Sequence, residues 1–325
     1  MKNLNWAILG AGGIANELAT AATRMGKTIY GVANRTHETA VKFAEKYGVA
    51  KVYDNIEDLF ADPNVDILYL STPHNTHYEF IKKALLAGKH VLAEKSITLN
   101  ASQLEEVIAL AREKKLVLAE AMTIWHMPLY KKLWQMTGDG ELGKVQMITM
   151  NFGSMKPYDM TNRFFNRDLA GGALLDIGVY ALSIVRGFMD QQPTEIVSHM
   201  IKTPTGVDQQ STILLKNDLD QMATVTMSLR SKMPKRAMIS CENGYIEIME
   251  YPRADKATIV NVAERTTKEI TEGITEDALY YEMLDMEHAV LTGDESVMHL
   301  DLSRDVMNIM TTLRNDWGIT YPEEE

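Results

Sequence analysis

Residues 6–15 read Trp6-Ala7-Ile8-Leu9-Gly10-Ala11-Gly12-Gly13-Ile14-Ala15. The four apolar residues fit a short buried strand, and helical spacing begins near Ile14. The spacing Gly10-x-Gly12-x-x-Ala15 between them has a physical reading. Gly10 permits a tight turn, Gly12 lets the backbone approach a pyrophosphate, and Ala15 lets the helix pack closely on the strand. The N–H groups of the helix start, around Gly13 and Ile14, then face the phosphates. A tight turn without a ligand is the plainer alternative. The context favours a dinucleotide site, because further strand–helix units follow.

Working outward, short apolar runs at 28–33, 52–53, 66–71, 90–93 and 116–119 alternate with helical spacing at 36–47, 56–60, 77–87 and 102–114. That alternation predicts a parallel sheet covered on both faces. The pattern changes near residue 121. Helices are expected at 128–136, 172–188, 277–291 and 302–315. Strands are expected at 145–152, 195–202, 211–215, 222–229, 237–240, 245–249 and 258–262, with a hairpin at Asn243-Gly244. Strands in series predict a mainly antiparallel open sheet with helices on one face. Two domains are expected, 1–120 and 121–325.

Composition excludes several classes. The chain has 325 residues, 46% of them apolar and 24% charged, as in ordinary globular proteins. Its only cysteine is Cys241, so neither an intramolecular disulfide nor a Cys-based metal site within one chain can form. Net charge is −11; residues 1–120 are balanced, and the acidic excess lies in 121–325. Such a surface repels nucleic acid. The densest basic stretch, Arg230–Arg236, reads as a solvated loop between strands. No run reaches the roughly 18 apolar residues of a membrane helix, and MKNLNWAILG lacks signal-peptide character. A cytoplasmic protein with no membrane partner is the expectation.

The end of the second strand reads Ala33-Asn34-Arg35-Thr36, with no carboxylate to bond a ribose 2′-hydroxyl. Arg35 suits a 2′-phosphate and adenine stacking. NADP is therefore expected over NAD, with Asn34 and Arg35 at the adenosine end. A solvated Arg35 starting a helix is the alternative.

Three further segments carry a resemblance. Ser71-Thr72-Pro73-His74-Asn75-Thr76-His77 follows the fourth strand, and Ala93-Glu94-Lys95-Ser96 follows the fifth. Gly171-Gly172-Ala173-Leu174-Leu175-Asp176-Ile177-Gly178-Val179-Tyr180 opens the long helix of the second part. With the glycine turn, these resemble the Gfo/Idh/MocA oxidoreductases over the whole chain and in the expected order. Ser96 stands where the family usually has Pro, and Tyr180 where it usually has His. The Tyr, with Glu120-Ala121-Met122-Thr123-Ile124-Trp125, is similar to the branch of dimeric dihydrodiol dehydrogenases and NADP-dependent D-xylose dehydrogenases.

The resemblance implies an α/β chain with an N-terminal Rossmann domain and a C-terminal α+β domain that binds substrate and pairs with another subunit. It implies cofactor contacts from Gly10, Gly12, Gly13, Ile14, Asn34, Arg35, Thr72, Asn75, His77, Glu94 and Lys95. The implied reaction moves a hydride between nicotinamide and a hydroxyl-bearing carbon of a sugar, polyol or dihydrodiol. Such chemistry needs a base for the hydroxyl proton and a positive charge near the developing alkoxide. Lys95 follows a strand's carboxyl end, where ligands bind in open α/β sheets. Asp176 and Tyr180 are four apart on a helix and share a face. Lys95, Tyr180 and Asp176 are thus the expected catalytic residues, and Trp125, Phe152, Arg163 and Asp176 the substrate contacts. His74 and His77 are too few for a metal site, and none is expected. Two alternatives stay open: a catalytically inactive dinucleotide-sensing regulator, and a glycosidase using NAD as a redox relay. A homodimer or higher homo-oligomer is expected.

Overall fold

A computed structural model describes residues 3–325; Met1 and Lys2, which the signal-peptide reading includes, lie outside the described residues. In chain order the first part alternates β1 (Trp6–Leu9), α1 (Gly13–Arg24), β2 (Gly31–Ala33), α2 (His37–Tyr47), β3 (Lys51–Val52) and α3 (Ile56–Ala61). It continues with β4 (Ile67–Leu70), α4 (His77–Leu86), β5 (His90–Glu94), α5 (Ala101–Lys114) and β6 (Leu118–Ala121). The rest runs α6 (Thr123–His126), α7 (Pro128–Gly138), β7 (Val145–Gly153) and α8 (Val179–Phe188). Seven strands follow: β8 (Glu195–Lys202), β9 (Asp208–Lys216), β10 (Met222–Ser228), β11 (Met233–Cys241), β12 (Gly244–Met249), β13 (Lys256–Asn261) and β14 (Thr266–Thr271). The chain closes with α9 (Ala278–Thr292) and α10 (Leu300–Trp317).

Two compact units form. One runs to Thr123 and also takes in Glu276–Leu300; the other comprises Ile124–Thr275 and Asp301–Glu325. The division differs from the expected 1–120 and 121–325, because α9 belongs to the first unit. The reason is its apolar face: Leu279, Tyr280, Met283, Met286 and Ala289 share a buried cluster with Trp6, Ile8 and the Ala15/Leu18/Ala22 face of α1. Polar ties add to it. Trp6 Nε1 donates to Glu287 Oε1 at 2.9 Å, and Arg24 pairs with Asp277 at 3.4 Å.

The first unit holds a six-stranded sheet in the order β3-β2-β1-β4-β5-β6, parallel throughout. Strand order reverses between β1 and β4, which opens a crevice at the carboxyl ends of these strands. β1, β4 and β6 are buried at every residue, as a sheet covered on both faces requires. At one edge Asp62, buried after α3, accepts from Lys51 Nζ at 2.6 Å, Tyr53 Oη at 2.8 Å and Tyr30 Oη at 3.2 Å. Burial alone would raise the Asp62 carboxyl; hydrogen bonds from Lys51, Asn64 and Tyr53 outweigh it and hold the group well below the usual carboxylate range.

The second unit holds an eight-stranded sheet in the order β14-β13-β12-β11-β7-β10-β9-β8, antiparallel apart from the β7–β10 pair. Alternation separates its faces. Ile148, Ala223, Leu215, Ile239 and Ile246 are buried in one face, over which α8 packs. On the other, Val197 and Leu214 are paired neighbours and are 59% and 44% exposed. The segment Arg167–Phe188 is apolar enough, by length and composition, to cross a membrane, with mean hydropathy 1.5, yet 83% of its most apolar stretch is buried. Its helical part, the π-helical turn Leu174–Gly178 and α8, is the core helix over the sheet. The basic stretch Arg230–Arg236 is a loop only as far as Lys232; Met233 starts β11, where Arg236 pairs with Glu247 at 2.5 Å.

Candidate active site

The glycine turn joins β1 to α1 as the spacing predicts. Gly10 has φ +101°, and a Cβ there would lie 2.8 Å from the Ser71 carbonyl oxygen at the end of β4. Gly10 is therefore required by the chain's own packing. Gly12 and Gly13 differ: a Cβ on either would meet no protein atom within 4 Å. No side chain caps the first turn of α1. Uncapped N–H groups, the positive end of the helix dipole and an open glycine cradle fit a pyrophosphate.

Asn34 fixes this turn from the end of β2. Its Oδ1 accepts the Ala11 N–H at 3.0 Å, and its Nδ2 donates to the Thr36 carbonyl at 3.0 Å. Arg35 beside it is exposed and makes no ion pair among the described residues.

Two loops follow at the carboxyl ends of β4 and β5. Thr72 and Thr76 share a hydroxyl hydrogen bond of 2.7 Å. His74 Nε2 lies 3.0 Å from the Lys95 carbonyl oxygen. His77 is fully buried, with Nδ1 3.0 Å from the Ser96 oxygen and Nε2 2.8 Å from the Thr72 oxygen. Burial pushes its imidazole below the usual range. The expectation that His77 touches the cofactor is corrected here: both ring nitrogens face backbone, and the ring braces the 72–76 loop against the 95–96 loop. Glu94 is likewise buried, accepting from the Tyr69 hydroxyl and, at 3.3 Å, from the Lys95 N–H. The Lys95–Ser96 peptide is cis, and Glu120 Oε1 takes the Ile97 N–H at 3.1 Å. Lys95 itself remains partly accessible. Among the described residues, no group of three or more His, Cys, Asp or Glu side chains is arranged to hold a metal ion.

In the second unit, Leu174–Gly178 winds as a π-helical turn that leads into α8. Such turns concentrate at functional sites. The turn carries Asp176, and Tyr180 follows one residue into α8. Asp176 Oδ1 lies 3.6 Å from Arg163 Nη1, whose guanidinium is stacked 4.1 Å over the Phe164 ring. Arg163 is largely exposed, so this pair is weak. The ring of Tyr180 lies 6.3 Å from Phe152, which meets Tyr251 edge-on at 5.8 Å. Phe152 is thus beside Tyr180.

Trp125 is wholly buried, its ring tilted against that of Trp134 at 5.9 Å, with Nε1 donating to Ser303 Oγ at 3.2 Å. The expected substrate contact is a core residue of the second unit. Sequence reasoning also passed over Asp208, whose buried carboxylate accepts the Leu174 N–H at 2.7 Å. Its one signal is a lone Asp opening a strand otherwise read from Ser211.

Residues 4–122 match the family model for the oxidoreductase family with an NAD-binding Rossmann fold, and residues 130–247 match the Gfo/Idh/MocA C-terminal domain. The chain belongs to the Gfo/Idh/MocA oxidoreductase family. It is 29% identical over 329 residues to trans-1,2-dihydrobenzene-1,2-diol dehydrogenase of Xenopus tropicalis, covering 98% of this chain and 99% of that one. It is 31% identical over 250 residues to the Homo sapiens enzyme of the same name, covering 76% and 74%. Among solved structures, KijD10, a 3-ketoreductase from Actinomadura kijaniata in complex with NADP and TDP-benzene, superposes with a TM-score of 0.84. Identity there is 23%, over 97% of this chain and 98% of that one. UDP-N-acetylglucosamine 3-dehydrogenase GnnA from Acidithiobacillus ferrooxidans gives 0.83 at 18% identity, again over 97% of this chain and 98% of that one. These two establish the fold. Family and relatives together make this chain an NAD(P)-dependent oxidoreductase of the dihydrodiol dehydrogenase branch.

Proposed function

We propose that this family member uses NADP(H) to move a hydride to or from a hydroxyl-bearing carbon of a sugar, polyol or dihydrodiol. The observation that carries the reading is the open cradle of Gly12 and Gly13 at an uncapped helix start, with Arg35 exposed and unpaired beside it. An unpaired guanidinium at that strand end favours a 2′-phosphate. The dihydrodiol dehydrogenases are the relatives from which the diol class comes.

When bound, the nicotinamide supplies the hydride acceptor or donor. The chain's own residues do the rest. Tyr180 Oη takes the hydroxyl proton as the carbon gives up its hydrogen with two electrons and the C=O bond forms; in reduction it returns that proton. A phenol titrates near 10, so it acts as a base near neutrality only beside positive charge. Lys95 Nζ is assigned to stabilise the developing oxyanion. Asp176 accepts a substrate hydroxyl, giving up its loose pair with Arg163. Phe152 walls the site beside Tyr180 and limits water.

We also propose a homodimer formed through the exposed sheet face around Val197 and Leu214, where contiguous apolar side chains favour burial.

The direct test follows nicotinamide absorbance with aldoses, polyols and trans-dihydrodiols, using NADP and NAD in parallel. Turnover with NADP on at least one hydroxyl-bearing class is expected. Tight NADP binding with no turnover of any class would overturn the proposal in favour of a sensor.

A further inference from the structure

The helix that bears Asp176 and Tyr180 starts against a buried carboxylate for which the chemistry above has no use. Asp208 opens β9 and is 1% exposed. Its Oδ2 accepts the Leu174 N–H at 2.7 Å, at the first residue of the π-helical turn. Oδ1 has no hydrogen-bond partner. The approach is possible only because residue 172 is glycine: with φ +123°, a Cβ there would lie 2.4 Å from Asp208 Oδ1. The preceding residue is fixed as well, since Tyr321 Oη donates to the Gly171 carbonyl at 2.7 Å. The turn is therefore gripped at two points just before Asp176.

We propose that Asp208 is a positioning residue, whose ionised carboxylate holds the N-terminal turn of the Asp176–Tyr180 helix in the geometry that hydride transfer needs. The inference rests on the catalytic reading of that helix given above. A carboxylate at a helix start satisfies orphan N–H groups and opposes the helix dipole. A displacement of about 1 Å at a reacting group can cost on the order of a hundredfold in rate. A buried carboxylate with one unbonded oxygen is costly for stability alone, so its value here is geometric.

The charged surroundings set the pH response. Burial pushes the Asp208 carboxyl up to about 6, against the opposing pull of the Leu174 N–H, Arg314 and the Ala173 backbone. From α10, Arg314 stacks 4.5 Å over the Tyr321 ring and is tied to Glu324. Tyr321 and Glu324 come from the C-terminal turn, and Arg167 contributes to the field at Tyr321. Above about pH 6 the carboxylate is ionised; as pH falls through that value the carboxyl takes up a proton and loses the charge that opposes the helix dipole and sets the geometry of the turn.

Three variants test this: Asp208→Asn, Asp208→Ala and Tyr180→Phe. Each is measured for kcat from about pH 5 to 8, for KM toward NADPH, and for hydrogen-exchange protection of residues 172–180 corrected for intrinsic rate. Wild-type kcat should fall below about pH 6 as the carboxylate becomes a neutral acid, while protection, linked to the raised folded value, should hold or rise. Asp208→Asn, which keeps a neutral acceptor, should lose that acid limb, with kcat down several-fold at about pH 8 and KM for NADPH unchanged. Asp208→Ala should lower kcat by roughly tenfold to a hundredfold and lose protection. An acid limb that persists in Asp208→Asn at wild-type kcat would overturn the proposal. If Asp208→Ala does not fold, Asp208→Asn decides alone. Full activity of Tyr180→Phe would instead remove the catalytic reading, whereas unchanged exchange in the Asp208 variants would remove the grip itself.

Discussion

The side-chain oxygen of Asn34 accepts the backbone N–H of Ala11 at 3.0 Å. The end of the second strand thereby holds the glycine turn of the first. An amide does this without adding a negative charge where a phosphate would bind. Arg35, next in sequence, is exposed and makes no ion pair among the described residues.

Arg35→Ala should raise KM for NADPH by roughly tenfold to a hundredfold, the worth of a charge-assisted hydrogen bond. KM for NADH should stay within about twofold. Initial rates with the two cofactors check this, and equal rises for both would assign Arg35 to general cofactor binding.

Tyr180→Phe removes one oxygen and leaves the ring that packs 6.3 Å from Phe152. A fall in kcat of about 10²–10⁴-fold is expected, with KM for NADPH unchanged. Lys95→Ala should cost about 10²–10³-fold. Near-normal turnover in either variant would take that residue out of the chemistry.

Asp62 ties Lys51, Tyr53 and Tyr30 together at the sheet edge. Its folded carboxyl titrates below the unfolded value of about 3.9. The stabilisation is then complete above that value and is lost as pH falls below it. Asp62→Asn should melt well below wild type at about pH 7, and the gap should narrow toward about pH 3. Asp62→Ala, which orphans the buried Tyr53 hydroxyl, should cost about 2–3 kcal/mol. Thermal melts at the two pH values decide; a gap that widens in acid would reverse the assignment.

Val197 and Leu214 are paired on the exposed sheet face. Val197→Asp with Leu214→Asp should convert a dimer of twice the chain mass into a monomer by light scattering, with the fold intact by circular dichroism. A wild-type monomer at micromolar concentration would dismiss the interface.

The parallel sheet was legible because its strands are continuous apolar runs, as in Ile67–Leu70, and its turns carry glycine. β14 went unread for the opposite reason. Thr266–Thr271 is a polar edge strand, without the apolar alternation that marks a half-buried one. The π-helical turn at Asp176 has no signature in residue spacing. Trp125 and His77 were read as ligand contacts because an aromatic or a histidine near a motif looks the same whether it faces a ligand or the chain. Burial separates the two, and burial depends on partners distant in sequence, such as Ser303 for Trp125. Asp208 was hidden in the same way, its partner Leu174 lying 34 residues back.

The contribution of α9 to the first unit has a consequence for synthesis. A ribosome that has released only residues 1–123 has made every strand of the parallel sheet, yet the Leu18 and Ala22 side of α1 and the indole of Trp6 still lack the partners that arrive with Leu279–Glu287. The first unit therefore finishes folding only after Leu279–Glu287 have emerged. An early stop codon, or an expression clone cut at Thr123, would yield an adhesive fragment in place of an autonomous module.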